Sequence, residues 1–167
     1  MKKIILGIFI LTVFSSCKEY LSKTDLKYMP YKTGDVLVFK NKNFNLTDSI
    51  KILKVRKYMP DGPQLHFNEV IQAEVSNGRF ISVHSGYVEN SESYLKIDNI
   101  SEKYYIKNLE NTMTTSLKIE NNIIDDVIVL DNEKGIISKI KKVFWSKSKG
   151  IVKYETEKGK IWELKIE

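Results

Sequence analysis

Alanine occurs once in the 167 residues, at Ala73, and cysteine once, at Cys17. Alanine is the strongest helix former. Its near-absence beside plentiful isoleucine, valine, threonine and tyrosine leans the chain towards strands. An AT-rich genome would deplete alanine too, so composition alone does not decide. One cysteine excludes an internal disulfide and any site built from several thiolates. Arginine is confined to Arg56 and Arg79, which argues against bidentate phosphate recognition. The chain has no Gly-x-Ser-x-Gly nucleophile motif and no glycine-rich phosphate loop, and no cofactor is expected. No apolar run approaches the roughly 20 residues needed to span a bilayer.

What the chain does have begins at its N-terminus. Lys2 and Lys3 precede an apolar run, Ile4 to Phe14, interrupted only by Gly7 and Thr12. Ser15 and Ser16 then lead into Cys17, and polar sequence starts at once with Lys18-Glu19. That is the layout of a secretory signal, and its end resembles a bacterial lipoprotein lipobox. The resemblance implies cleavage after Ser16 and lipid on Cys17. A single acyl chain binds a membrane marginally, whereas two or three anchor it stably. The expected organisation is a signal peptide over 1–16, a lipidated tether over 17–27 and an all-β domain over 28–167. The chain from Cys17 onward has 151 residues, with 25 basic against 21 acidic. That length fits one domain able to bury a core without disulfides. Export removes nucleic acid from the expected partners.

Periodicity supplies the fold class. Val36 to Phe39 is an apolar strand after the turn Lys32-Thr33-Gly34-Asp35, and Asn41-Lys42-Asn43 is a polar turn. Ser49 to Tyr58 places Ile50, Ile52 and Val55 inward, and Pro60-Asp61-Gly62-Pro63 stops it. Leu65, Phe67, Ile71, Ala73 and Val75 share one parity, a period-2 strand. Asn77-Gly78 is a hairpin signal. A two-residue turn there pairs Ser76 with Arg79, Val75 with Phe80 and Ile71 with His84. That register sends Ile81 and Val83 to the face carrying Gln72 and Glu74. Either a bulge shifts the return strand, or the hairpin is buried on both faces. Further strands are read at Tyr94 to Ile97, Lys103 to Lys107, Thr114 to Glu120, Ile123 to Leu130 and Ile136 to Trp145. The last two are Ile151 to Glu155 and Lys160 to Ile166, where Trp162, Leu164 and Ile166 alternate with Ile161, Glu163 and Lys165. No capped stretch keeps helical spacing over three turns. Short strands joined by polar turns imply one antiparallel domain, barrel-like or a sandwich.

Tyr31-Lys32-Thr33-Gly34-Asp35 with Phe39, the ending Trp145 to Tyr154 and the lipobox resemble small uncharacterised lipoproteins of flavobacteria and other Bacteroidetes. The resemblance implies an outer-membrane lipoprotein of the cell envelope, periplasm-facing or surface-exposed. It brings no catalytic residues. Lys18-Glu19 also resembles, in part, a lipoprotein surface-export signal, and Asp48-Ser49-Ile50 matches an O-glycosylation pattern that would modify Ser49.

Candidate chemistry is sparse. His66 and His84 stand about 17 Å apart in the hairpin register above, too far to share a metal ion. Asp125 and Asp126 are adjacent in a strand and point to opposite faces. Asp131 to Gly135 has oxygen ligands but lacks a calcium loop's alternation, and reads as a plain turn. Residues 131–167 hold 10 lysines against 6 acids. That excess suits either an anionic envelope surface or solvated strand faces, with lysine blunting an edge strand. Tyr104-Tyr105, Phe144-Trp145 and Trp162 fill a core or stack on sugars. The preferred expectation is a non-enzymatic, lipid-anchored domain that binds a ligand or supports an envelope assembly through a protein partner. The alternative is a hydrolase of envelope or environmental polysaccharide. An apolar interior open at one end favours carriage, and a polar cleft with two carboxyls about 5–9 Å apart favours the hydrolase.

Overall fold

A computed structural model describes residues 17–60, 66–76, 78–86, 92–99, 102–131 and 140–166. The segment expected to be a signal peptide lies outside them. So do Leu65, Asn77, most of the Pro60–Pro63 and Asp131–Gly135 turns, and residues 136–139 of one expected strand.

The all-β expectation holds: one large antiparallel sheet curls into a half-barrel. Its strands are β2 (Val36–Asn41), β3 (Thr47–Tyr58), β5 (Val70–Val75), β6 (Arg79–His84), β7 (Tyr94–Asn99), β8 (Glu102–Lys107), β9 (Thr115–Ile119), β10 (Asn122–Asp131), β11 (Ile140–Ser146), β12 (Gly150–Thr156) and β13 (Ile161–Leu164). Their spatial order is β8-β7-β6-β5-β3-β2-β13-β12-β11-β10-β9. Two short strands, β1 (Cys17–Glu19) and β4 (His66–Asn68), pair in parallel beside it.

Curling follows from irregular registers. Bulges fall between Ile52 and Lys54 in β3, between Ile124 and Val127 in β10, at Lys141 in β11 and at Val152 in β12. Each adds twist and bends its strand. The first is written in the sequence, because Ile50, Ile52 and Val55 cannot all point inward without a skipped residue. The β8 edge then reaches the other arm of the sheet. Tyr104 of β8 donates a hydrogen bond to the Ile140 carbonyl of β11 at 2.7 Å.

The β5–β6 hairpin resolves the register question. Val75 pairs with Arg79, Ala73 with Ile81, and Ile71 with Val83, one residue away from the two-residue expectation. Three positions separate the paired Val75 and Arg79, and Gly78 among them adopts φ +69°, as a three-residue hairpin with a left-handed position requires. This shift puts Ala73, Ile81, Ile97 and Tyr104 in one row across the concave face. All four are buried. The inward parity therefore includes Arg79.

The registers also define two ends. Tyr58, Val70, His84 and Tyr94 lie at one, and Val75, Arg79 and Thr156 at the other. Cys17 pairs with His66, just before β5, and so belongs to the first end.

The tether expectation needs correction there. Residues 17–27 are folded onto the domain. The Glu69 amide donates to the Glu19 carbonyl at 2.9 Å, and the Ser85 hydroxyl donates to the same oxygen at 2.9 Å. The Leu21 amide donates to the Glu69 carboxylate at 3.0 Å, and Lys57 pairs with that carboxylate at 2.9 Å. A one-turn helix, α1 (Lys23–Leu26), follows. Ser22 and Asp25 exchange side-chain and backbone hydrogen bonds around its start, a capping box. Isolated leucines in polar sequence suggested a leash, but Leu21 is buried against the sheet.

Beyond α1, Tyr28 is wholly buried and its hydroxyl donates to the Leu109 carbonyl. Tyr31 is buried too, and its hydroxyl oxygen accepts the Ile151 amide at 2.7 Å. Its ring meets Trp145 edge-on at 5.7 Å. Phe39 meets Tyr154 at 5.3 Å. The two segments quoted for the lipoprotein resemblance, far apart in sequence, thus pack on one another, with Tyr31 and Trp145 towards the Cys17 end and Phe39 and Tyr154 towards the opposite one.

Candidate functional site

The described residues do not fill the opposite end. Inward-parity side chains of β3, β5, β6, β7, β11 and β12 surround a cavity of about 350 Å³. Its wall is largely apolar: Ile50, Val75, Ile81, Ile97, Val143 and Ile151, with Tyr104, Tyr154 and Trp162. Ile140 and the polar Asp48, Arg79, Thr156 and Lys160 complete it. Each sits at or just beyond a strand terminus, in step with the inward residues of its strand. Asp48 shares parity with Ile50 and Ile52, Arg79 with Ile81, and Lys160 with Trp162. Because Asp48 and Lys160 are exposed, this polar rim is the mouth through which the apolar interior reaches solvent.

The rim is partly pre-arranged. Tyr154 donates its hydroxyl to Asp48 at 2.9 Å and stacks on Trp162 at 5.9 Å. Burial first, and then the Asp48 carboxylate, push the Tyr154 hydroxyl well above the ordinary phenol range, so it stays a neutral donor. The backbone amide of Ser49 also donates to Asp48, at 2.8 Å. Lys160 lies over the Phe44 ring at 6.0 Å. Arg79 is half-buried, and among the described residues no hydrogen bond or ion pair engages it.

A second concavity, of about 400 Å³, opens at the Cys17 end among Glu19, Tyr20, Asp25, Ser85, Glu92 and Asn108. Two of its three acids are occupied. Asp25 accepts the Ser22 amide at 2.8 Å and the Ser93 hydroxyl at 2.5 Å. Glu92 accepts from Asn108 at 3.0 Å. Carboxylates committed to holding α1 and its neighbours are poorly placed to exchange protons with a glycosidic bond. A third groove, of about 500 Å³, gathers Lys40, Lys42, Lys118 and Lys165 with Glu120 and Glu163. Lys42 pairs with Glu163 at 3.6 Å.

The other sequence candidates are scattered. Cys17 heads β1, and Ser49 is exposed on β3 next to the rim residue Asp48. His84 pairs with Val70 rather than Ile71, stacks on Tyr94 at 4.5 Å and contacts the Ser82 hydroxyl at 2.9 Å. His66 is carried away on β4. Asp125 accepts from Ser116 at 2.8 Å. Asp126 accepts from the Ser146 hydroxyl at 2.7 Å and the Ser148 amide at 2.8 Å. The lysine-rich last strands do not blunt an edge, since β13 lies between β2 and β12. Several of their lysines are individually engaged. Lys142 pairs with Asp131 at 3.2 Å, and Lys153 pairs with Glu155 at 3.0 Å and covers Phe144 at 4.6 Å. Trp145 is core, while Trp162 faces the cavity. Among the described residues no cluster of histidine, cysteine and acids is arranged to hold a metal ion, and no helix is long and apolar enough to cross a membrane.

Sequence reasoning missed two groups. The Ser22-x-x-Asp25 capping box was readable as a pattern, but one turn of helix falls below any periodicity test. The rim of Asp48, Arg79 and Lys160 needed the hairpin register and the curl of the sheet.

No protein-family model matches this chain, and neither a curated protein nor a solved structure is significantly similar to it.

Proposed function

We propose that this protein is a non-enzymatic, lipid-anchored envelope domain that holds a small, mainly apolar ligand in its half-barrel. The observation that carries this reading is the cavity of about 350 Å³, apolar within, polar at its rim and open at one end. Ligand sites have this character and begin near this size. The lipobox at Cys17 supports the location. With Cys17 at the closed end, the five residue steps of β5 set the mouth about 17 Å further on. The mouth then faces away from the anchoring membrane and towards a soluble donor or acceptor.

Mass spectrometry of the natively purified protein, freed of its anchor, tests the reading. A recurrent small apolar compound is expected; a consistently empty protein removes the carrier function and leaves a partner-binding role. Incorporation of labelled lipid tests the location. It is expected to vanish in Cys17→Ala, and retained label overturns the anchor.

A further inference from the structure

We infer that the cavity takes a single-chain carboxylate of about ten carbons, its tail among Ile81, Ile97 and Val143 and its head on the Arg79 guanidinium. This rests on the ligand-binding reading above and specifies the class of ligand. Arg79 is one of only two arginines in the chain, and the inward parity of β6 places it in the cavity wall with Ile81. A half-buried cation beside apolar side chains pays for its lost hydration unless something pairs with it, and among the described residues no hydrogen bond or ion pair does. The rim acid does not fill that role. Asp48 accepts the Tyr154 hydroxyl and the Ser49 amide, and makes no salt bridge to Arg79. Lys160 adds a second positive charge at the mouth.

A planar guanidinium matches a carboxylate fork to fork. Phosphate recognition ordinarily draws on several converging donors, and here one arginine and one exposed lysine converge. Volume fixes the rest. At roughly 30 Å³ per non-hydrogen group, the space takes about a dozen such groups, enough for one short chain with its head and too few for a two-chain lipid.

Calorimetric titration of the purified protein with decanoate, decanol and decyltrimethylammonium separates the ideas. Decanoate is expected to bind at least tenfold tighter than decanol, and the cation weakest, because a charge-assisted hydrogen bond is at stake. Arg79→Gln should erase the preference for the acid and leave decanol unchanged. Arg79→Lys should keep part of the preference, and Asp48→Asn should strengthen decanoate alone. Decanol and decanoate binding equally to the unaltered protein, or a preference for the cation, overturns the carboxylate assignment while the cavity reading survives. If none of the three binds, and filling the cavity with Ile97→Phe changes nothing, the cavity reading itself falls.

Discussion

The two ends of the half-barrel are built to opposite rules. At the Cys17 end polar groups are matched in detail: Glu69 takes Leu21 and Lys57, Asp25 takes Ser22 and Ser93, and Tyr31 takes Ile151. Aromatic rings fill what remains. At the other end the same inward-facing strands leave a gap, and Arg79 stands in its wall with no hydrogen bond or ion pair among the described residues. The strands are continuous between the ends, so the difference lies in what covers them. Residues 20–31 lie across the first end, and no described residue covers the second. A small all-β domain without disulfides places its close packing where it needs stability. On the proposed function, the end left unpacked is the one where a ligand would complete the core.

Glycine substitutions should expose this contrast most strongly. Gly150 at the closed end has φ +76°, and a Cβ there would overlap the Tyr31 hydroxyl and ring. Gly159, in the turn at the open end, has φ +72° with nothing within 4 Å. Gly150→Ala should cost about 4 kcal/mol or abolish folding, since overpacking adds to backbone strain. Gly159→Ala should cost only the strain, about 1 kcal/mol. Chemical denaturation measures both, and equal losses would remove the distinction between the ends.

Next in size is Glu69→Ala, which strips the acceptor from Leu21 and the partner from Lys57. The expected loss is about 2 kcal/mol. The more telling readout is limited trypsin digestion, where Lys18, Lys23 and Lys27 should become early cleavage sites. Unchanged resistance would mean that the N-terminal segment is held by Leu21 and Tyr28 packing alone.

The sequence made the strands legible because a half-buried strand advertises itself by alternation. Trp162, Leu164 and Ile166, or Ala73 and Val75, needed no partner to be recognised. Even the bulge in β3 showed, as the odd step from Ile52 to Val55. What stayed hidden depended on distant pieces meeting. Tyr31 and Gly150 explain each other only once β2 and β12 share a sheet. Leu21 looked stray because its pocket is made by residues almost fifty positions away. The hairpin register turned on a single residue, and with the shorter turn Arg79 sits opposite Ser76 instead of joining the cavity row. Hence the fold class could be read from the chain, while the rim of the cavity could not.

A pH dependence confined to the closed end gives a finer test. At Asp126 burial pushes the carboxyl up, but the Ser146 and Ser148 donors outweigh it and hold the group below its ordinary value. A carboxyl depressed on folding stabilises the protein above its unfolded value, near 4, and loses that contribution as pH falls through the folded one. Asp126→Ala should therefore cost about 1 kcal/mol at pH 7, the group being partly solvent-screened, and much less at pH 3. A cost independent of pH would assign the effect to packing.

The smallest expected effect is also the most discriminating for the open end. Charged side chains that serve the fold are costly to remove, because their partners are left behind. Arg79 leaves no partner behind. Arg79→Gln should accordingly shift the unfolding free energy of the empty protein by less than about 0.5 kcal/mol, and in the stabilising direction if the guanidinium is under-solvated. Repeating the measurement with saturating ligand should reverse the sign, since a ligand stabilises only the form that binds it. Thermal melts of the two proteins with and without decanoate read both halves. A loss of about 2 kcal/mol in the empty protein would make Arg79 part of the scaffold, and the two ends would then obey the same rule.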